Sequence, residues 1–159
     1  MKSFKIVSVL LLAIIAYSCV KQEQKSFPDE PRIYYQRVNN KTINFRDTAS
    51  RLKVYFKFED GDGDLARTLD TNIFIRQFRS DTVLSTTVYQ LPIIEEDLRQ
   101  GDWLEGDVVL DFPPGTIVPR ADSFHIAVMK DTMYLEITIK DDAGNRSNAI
   151  FTDTIYIGE

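Results

Sequence analysis

An acidic run at residues 60–64, DGDGD, carries the side chains with the clearest chemistry in this sequence. Three aspartates alternate there with two glycines, in the order Asp60, Gly61, Asp62, Gly63 and Asp64. Alternate side chains point the same way along an extended chain, and glycine lets the backbone turn tightly and offer its carbonyls. Calcium takes about six to eight oxygen ligands, mostly carboxylates and carbonyls. The run therefore predicts a cation site.

The run matches only the first half of an EF-hand calcium loop. Its aspartates occupy the first, third and fifth positions of that loop, but Leu65 stands where glycine is needed and Thr71 where a bidentate glutamate is needed. No convincing amphipathic helix flanks the run. The sequence therefore excludes an EF-hand and favours a short acidic loop of the kind found in extracellular β-sandwich modules.

A second acidic segment, KDDAGNRSN at residues 140–148, follows an apolar run near the C-terminus. If the two segments meet, they predict one Ca²⁺ site with the ligands Asp60, Asp62, Asp64, Asp141, Asp142 and Asn145. Calcium is the expected ion because the donors are hard oxygens without a thiol or imidazole cluster. Asp-Gly and similar sequences also form ordinary turns in which aspartate caps its own backbone, so acidic turns without a metal are the alternative.

Alternating apolar residues predict the strands that position these segments. In RLKVYFKFED, residues 51–60, every second side chain is apolar, and MYLEITIKD, residues 133–141, alternates in the same way. Such alternation is typical of antiparallel strands with one buried and one wet face. Weaker copies of the pattern lie at residues 33–38, 73–78, 82–91, 108–112, 124–129 and 150–157.

Seven or eight short strands separated by turn residues predict an all-β chain folded as an immunoglobulin-like antiparallel β-sandwich. The order of strands and turns resembles such a domain, with residues 51–60 near strand B and residues 133–141 near strand F. The loops after these two strands lie at one pole of that fold, so the acidic segments would converge. A lone cysteine rules out the disulfide of antibody domains. A jelly roll or a small barrel is the alternative fold.

The first residues predict export and a lipid anchor. Lys2 and Lys5 precede an apolar run at residues 6–16, which is shorter than the about 20 residues of a spanning helix and is typical of a secretion signal. AYSC, residues 16–19, resembles the lipobox of bacterial lipoproteins, which implies that Cys19 is lipidated. An ordinary cleavage site that leaves Cys19 as a free thiol is the alternative. The predicted organisation is a lipoprotein signal peptide at residues 1–18, a lipidated flexible tether at 19–31 and the immunoglobulin-like β-sandwich at 32–159.

Charge narrows the choice of partners. The net charge is −5, and removal of residues 1–18 would leave 17 basic against 24 acidic side chains, a net charge of −7. Because like charges repel, we expect no nucleic-acid partner. The predicted location is the bacterial outer membrane, on its periplasmic side or at the cell surface. The expected partners are the membrane, through the anchor, and an envelope protein or a glycan.

Two motifs resemble those of a known group of proteins. F-x-DGDGD-[LI] at residues 58–65 and I-x-x-x-DDAGN-x-SN at residues 137–148 are similar to motifs of small, uncharacterised Bacteroidota-type lipoproteins. The similarity is best over residues 52–65 and 135–157 and is poor between them. It implies a lipid anchor and an immunoglobulin-like fold, and it implies no activity.

The sequence contains no enzyme signature. His125 is the only histidine, and no G-x-S-x-G motif occurs. We therefore expect a non-enzymatic envelope lipoprotein that acts as a structural or interaction module and holds Ca²⁺ at one loop pole. The alternative is a glycan- or peptide-binding accessory protein that uses Trp103 within the irregular residues 92–106, because an exposed tryptophan can stack on a sugar ring. A tryptophan that plugs one end of the sandwich is the plainer explanation.

Overall fold

The computed structural model describes residues 27–44, 47, 49–68, 70, 72–79, 81–95, 103–113, 116 and 130–158. These residues form β-strands and no helix, so the all-β prediction is confirmed. The nine strands are β1 (Arg32–Val38), β2 (Thr42–Asn44), β3 (Leu52–Asp60), β4 (Ile73–Arg79), β5 (Thr82–Tyr89), β6 (Leu104–Phe112), β7 (Lys130–Ile139), β8 (Ile150–Phe151) and β9 (Ile155–Gly158). Within this part of the chain, no helix has the length and apolar character needed to cross a membrane. Residues 1–18, Cys19, His125 and the strand predicted at residues 124–129 lie outside the described residues.

The strands form two sheets. The smaller sheet has the order β1-β3-β6, and both of its pairs are antiparallel. The larger sheet has the order β2-β9-β7-β4-β5, and β8 also pairs with β7. The chain crosses from one sheet to the other five times between β1 and β7, as when β3 is followed by β4, whereas β4 and β5 are neighbours in the larger sheet and β7, β8 and β9 all belong to it.

The prediction of a purely antiparallel fold is wrong at one pair, because β2 runs parallel to β9. β2 has only three residues and buries one of them, Ile43. A strand this short cannot show the alternation from which the other strands were predicted. The larger sheet is consequently mixed.

The single strand predicted at residues 150–157 is two strands, β8 and β9. Thr152, which lies between them, is buried, and its hydroxyl accepts a hydrogen bond from the Leu135 N–H at 3.0 Å. The Thr152 N–H donates to the Leu135 carbonyl at 2.9 Å. Thr152 thus bonds β7 through both backbone and side chain at the point where the regular ladder is interrupted.

The two sheets bury one apolar core between them, as the layers of a β-sandwich do. β3 buries every second residue, including the fully buried Val54 and Phe56. β7 contributes Leu135 and Ile137 to the same core from the other sheet. Since complete burial of such a side chain stabilises a fold by about 1.5–3 kcal/mol, this alternation determines which face of each strand turns inward.

Candidate metal centre

The two acidic segments meet at one pole of the sandwich. One follows β3 and the other follows β7, and these strands belong to different sheets. Two hydrogen bonds join the segments: the Ala143 N–H donates to Asp64 Oδ2 at 2.7 Å, and the Thr68 N–H donates to Asp142 Oδ2 at 2.9 Å. The convergence expected from the sequence is therefore present, and we call this region the acidic pole.

The first acidic loop is fixed by an apolar side chain. Asp60, the last residue of β3, is fully buried, and its Oδ2 accepts a hydrogen bond from the Leu65 N–H at 2.9 Å. The Leu65 side chain is fully buried in the core. Between them, Gly63 has φ of +61°, a left-handed conformation that favours glycine. Leu65, which disqualifies the EF-hand pattern, is thus the residue that holds the loop in place.

The second acidic loop is closed by Asp141. This aspartate is buried, and its two carboxylate oxygens accept hydrogen bonds from Asn145, from the backbone N–H at 2.6 Å and from Nδ2 at 2.9 Å. The Asp141 N–H in turn donates to the Asn145 carbonyl at 3.1 Å. These bonds close a tight turn at the end of β7 and hold the Asp141 carboxylate inside the pole.

The polar residues after this turn fasten it to both sheets. Ser147 Oγ accepts a hydrogen bond from the Ile139 N–H in β7 at 3.0 Å. The Asn148 amide bonds both backbone groups of Ile33 in β1, at 3.0 Å to its N–H and 2.9 Å to its carbonyl. The S-N pair of the motif thus links the larger sheet to the smaller one, which is a structural role.

Three carboxylates gather at the centre of the pole. One oxygen from each of Asp60, Asp64 and Asp141 lies within 4.8 Å of the other two. At that separation two full charges repel by about 3 kcal/mol or more at an effective dielectric constant of about 20. Three ionised carboxylates therefore need a compensating cation or a proton.

Two oxygens of this cluster lack a hydrogen-bond partner. Asp60 Oδ1 and Asp64 Oδ1 are buried and accept no hydrogen bond. A buried acceptor without a partner is costly, and a native structure usually satisfies it with a protein group, water or an ion. Asp60 is the more telling case because its whole side chain is inaccessible to solvent.

The electrostatics of the cluster favour uptake of positive charge. Burial, reinforced by the charges of Asp62, Asp64 and Asp141, raises the pKa of Asp60 to about 7, and the hydrogen bond from the Leu65 N–H opposes this shift. Burial and the Asp141 charge likewise raise the pKa of Asp64. Near neutral pH the cluster would hold either a proton or a metal ion, and a metal ion would displace the proton.

The donor set fits calcium. Carboxylates bind Ca²⁺ through one or both oxygens, so three of them can supply about three to six of its six to eight ligands. Backbone carbonyls and water commonly supply the rest. All three donors are hard oxygen ligands, which suit calcium or magnesium better than zinc or copper.

The other three predicted ligands lie in the same loops but outside the cluster. Asp62 Oδ1 accepts a hydrogen bond from the Asp64 N–H at 3.3 Å, which supports the turn. Asp142 is exposed and bonds the Thr68 N–H, and Asn145 donates its side-chain amide to Asp141. The structure therefore places Asp60, Asp64 and Asp141 together, whereas Asp62, Asp142 and Asn145 shape the loops around them.

Trp103 is half-buried beside the acidic pole. Its ring meets the Phe27 ring nearly edge to face, with centroids 5.4 Å apart and planes at 70°. In the irregular stretch predicted at residues 92–106, residues 104–106 belong to β6, and residues 96–102 lie outside the described residues. Sequence reasoning missed Phe27 because the polar, proline-containing residues around it are typical of a tether.

A cleft opens between β6 and the segment that follows β5. Its volume is about 580 Å³, which lies within the usual range of ligand-binding pockets, about 300–1,000 Å³. Its lining is largely apolar and includes Phe58, Tyr89, Leu91, Pro92, Ile94, Leu104, Leu110 and Phe112. This cleft could not be predicted from the sequence, because its walls come from both sheets and from the segment that follows β5.

Comparison with known proteins assigns no family to this chain. A scan against models of protein families finds no match, and a search of curated proteins finds none. The geometry of the acidic pole is consequently the main guide to function, and within it the orphaned oxygens of Asp60 and Asp64 carry the most weight.

Proposed function

We propose that this protein is a non-enzymatic envelope lipoprotein module that binds Ca²⁺ at its acidic pole and acts in structure or interaction. The observation that carries the proposal is the buried Asp60, whose Oδ1 lacks a hydrogen-bond partner and whose carboxylate has an oxygen within 4.8 Å of two further carboxylates. Ordinary acidic turns, the alternative considered from the sequence, leave their carboxylates bonded to backbone or water. A divalent cation would offset two of the three negative charges of the cluster and could bond both orphaned oxygens.

An immunoglobulin-like fold is part of the proposal. The strand order supports it: β1-β3-β6 corresponds to strands A, B and E, and β9-β7-β4-β5 corresponds to strands G, F, C and C′. In this correspondence β3 is strand B and β7 is strand F. Their following loops share a pole in immunoglobulin-like domains, where they would form a rigid frame for a cation site.

A lipid anchor at Cys19 would place this pole near the membrane. The segment from Cys19 to Pro28 can reach at most about 30 Å when fully extended. The proposed location is the bacterial outer membrane, on either side, and the resemblance to Bacteroidota-type lipoproteins supports it. With its acidic surface, the domain would act on an envelope protein or a glycan rather than on nucleic acid.

Calcium should stabilise the purified protein against heat. A ligand that binds only the folded state adds about 2.7 kcal/mol at a hundredfold excess over Kd, which corresponds to a rise in Tm of roughly 10 °C for a domain of this size. The measurement is thermal unfolding followed by circular dichroism in calcium, in magnesium and in chelator.

The Asp64→Asn variant should lose most of this calcium-induced rise in Tm. Asp107→Asn is the matched control, because Asp107 is exposed and bonds only Gln36 among the described side chains, and it should keep the rise. Equal Tm values with calcium and chelator for the wild type would remove the metal from the proposal.

The second candidate function is peptide or glycan binding, and the cleft beside β6 is what favours it. A screen of peptides and glycans would compare the wild type with Val108→Lys, which places a charge in the cleft, and with Trp103→Ala. Val108 is half-buried in the cleft wall. Binding lost only in Val108→Lys would assign the activity to the cleft, and binding lost only in Trp103→Ala would assign it to the tryptophan. The absence of any ligand in the screen would count against this candidate.

A further inference from the structure

We infer that cation binding at the acidic pole controls the docking of residues 27–31, which we name the strap, onto the acidic loop at residues 60–64. This inference rests on the proposed cation site and adds a regulatory consequence to it. In the cation-bound protein the strap is held against the domain. In the cation-free protein whose three carboxylates are ionised, the strap is released and lengthens the connection to the preceding chain.

The strap contacts the acidic loop at the residue between two of its aspartates. The Gly61 N–H donates a hydrogen bond to the Pro28 carbonyl at 2.9 Å. A Cβ at position 61 would lie 2.3 Å from that oxygen and 2.4 Å from the Phe27 oxygen, so only glycine allows this approach. The strap backbone therefore packs directly on the backbone that connects Asp60 to Asp62.

The strap has two further attachments close to the cluster. The Phe27 ring packs against Trp103, which immediately precedes β6, and the first residue of β6, Leu104, pairs with Asp60 in the β3–β6 register. At the other end of the strap, Pro31 is buried and leads into β1. Any displacement of the loop at residues 60–64 would move the surface against which Phe27 and Pro28 pack.

The charge of the cluster couples the strap to the cation. Without a cation, ionised Asp60, Asp64 and Asp141 repel one another within 4.8 Å, and the repulsion favours a more open loop. An open loop carries the Gly61 N–H away from the Pro28 carbonyl. A bound cation draws the carboxylates together and restores the surface that the strap needs. Because such coupling is reciprocal, strap docking must raise cation affinity by the same factor by which the cation favours docking.

Release of the strap changes the reach of the chain. Five released residues add at most about 17 Å to an extended connection. A domain tethered through the preceding residues would therefore stand closer to its attachment when the cation is bound and farther away when it is lost. The acidic pole would then act as a sensor of divalent cation that sets the position of the domain.

Two measurements report directly whether the strap is docked. Trp103 is the only tryptophan, so its fluorescence reports the contact with Phe27. Glu30 is exposed within the strap, so the rate of cleavage there by a glutamate-specific protease reports release. The experiment adds calcium chloride to the full chain and follows the emission, the cleavage rate and, by calorimetry, calcium binding itself. We expect calcium to shift the emission and to slow cleavage at Glu30 by about tenfold, within the usual range of coupling between two sites.

Gly61→Ala is the decisive variant because it expels the strap without removing a carboxylate. It should still bind calcium, about tenfold more weakly, and its cleavage at Glu30 should no longer respond to calcium. Phe27→Ala should act in the same direction, which keeps the test valid if Gly61→Ala folds poorly. Phe151→Ala is the matched control, because it removes an exposed phenylalanine of the larger sheet, and it should behave as the wild type.

Calcium binding by calorimetry with no change in emission or cleavage would overturn the inference and leave the proposed cation site intact. No calcium binding at all would overturn both.

Discussion

Replacement of Asp60 by asparagine is expected to stabilise the calcium-free protein at about pH 8 by up to about 4 kcal/mol. The buried carboxylate has a pKa of about 7, so at this pH the folded wild type must hold a charge there that the surroundings disfavour. An asparagine side chain has nearly the same shape and no charge. Its oxygen can accept the hydrogen bond from the Leu65 N–H, and its amide adds no negative charge to the cluster.

The pH dependence of the calcium-free wild type follows from the same shift. Because the pKa of Asp60 is raised by folding, the folded state keeps a proton that the unfolded chain has already released between about pH 4 and pH 7. The stabilisation from this proton is complete below about pH 4 and is lost as pH rises through about 7. Saturating calcium should abolish this loss, since the cation replaces the proton. Calcium should therefore stabilise the wild type strongly at about pH 8 and little at about pH 5.

Urea unfolding at both pH values, with calcium or with chelator, measures these differences. Between the two pH values the Asp60→Asn protein should lose less stability than the wild type, and it should show no response to calcium, whereas Asp107→Asn should follow the wild type. Since the comparison is made against a variant, the titration of any group that both proteins share cancels in the difference. If Asp60→Asn is instead less stable than the wild type at about pH 8 in chelator, the prediction is wrong. The carboxylate would then be needed as a hydrogen-bond acceptor, and its charge would not destabilise the folded state.

The regular strands could be predicted from the sequence because burial imposes a period of two. β3 and β7 show it best, since each has one face in the core over most of its length. β2 could not be predicted, because three residues with one buried side chain hold no pattern. The division between β8 and β9 depends on Thr152, whose buried hydroxyl bonds β7, and a polar residue in a strand sequence does not reveal that bond.

The position of the acidic pole could be predicted from the sequence, but the identity of the carboxylates at its centre could not. Strand order alone brings the loops after β3 and β7 together. Which carboxylates face inward depends on the turns: Asp142 and Asp64 each accept a hydrogen bond from a backbone N–H of the other segment, yet only Asp64 also has an oxygen in the cluster. These bonds depend on backbone positions set by core packing across both sheets, and a local sequence does not contain that information.

The docking of the strap could not be predicted from the sequence either. Residues 20–31 are polar and contain two prolines, and this composition favours a flexible tether. The structure nevertheless holds residues 27 and 28 against the acidic loop through a glycine and a tryptophan. The sequence predicts that Gly61 allows a tight turn. In the structure, its main role is to let the backbone of residues 27 and 28 approach closely.

Leu65→Ala is expected to lower the free energy of unfolding by about 2–5 kcal/mol, the usual cost of removing a fully buried leucine from a packed core. Leu65 is inaccessible to solvent and lies in the same core cluster as Phe58 and Leu104. Chemical denaturation in chelator gives the value. Leu84→Ala is the matched control, because Leu84 is 49% exposed, and it should change stability by no more than about 0.5 kcal/mol.

The same variant should also weaken calcium binding, although it removes no oxygen. Leu65 fixes the loop that presents Asp60 and Asp64, and its own N–H holds the Asp60 carboxylate. Without the buried side chain, the loop must be ordered when the cation binds, and the cost of that ordering is subtracted from the affinity. Calorimetry below the unfolding transition should show a weaker Kd for Leu65→Ala and an unchanged Kd for Leu84→Ala. An unchanged Kd in Leu65→Ala would mean that the carboxylates are positioned by the hydrogen bonds between the two loops alone, and the core would then have no part in building the site.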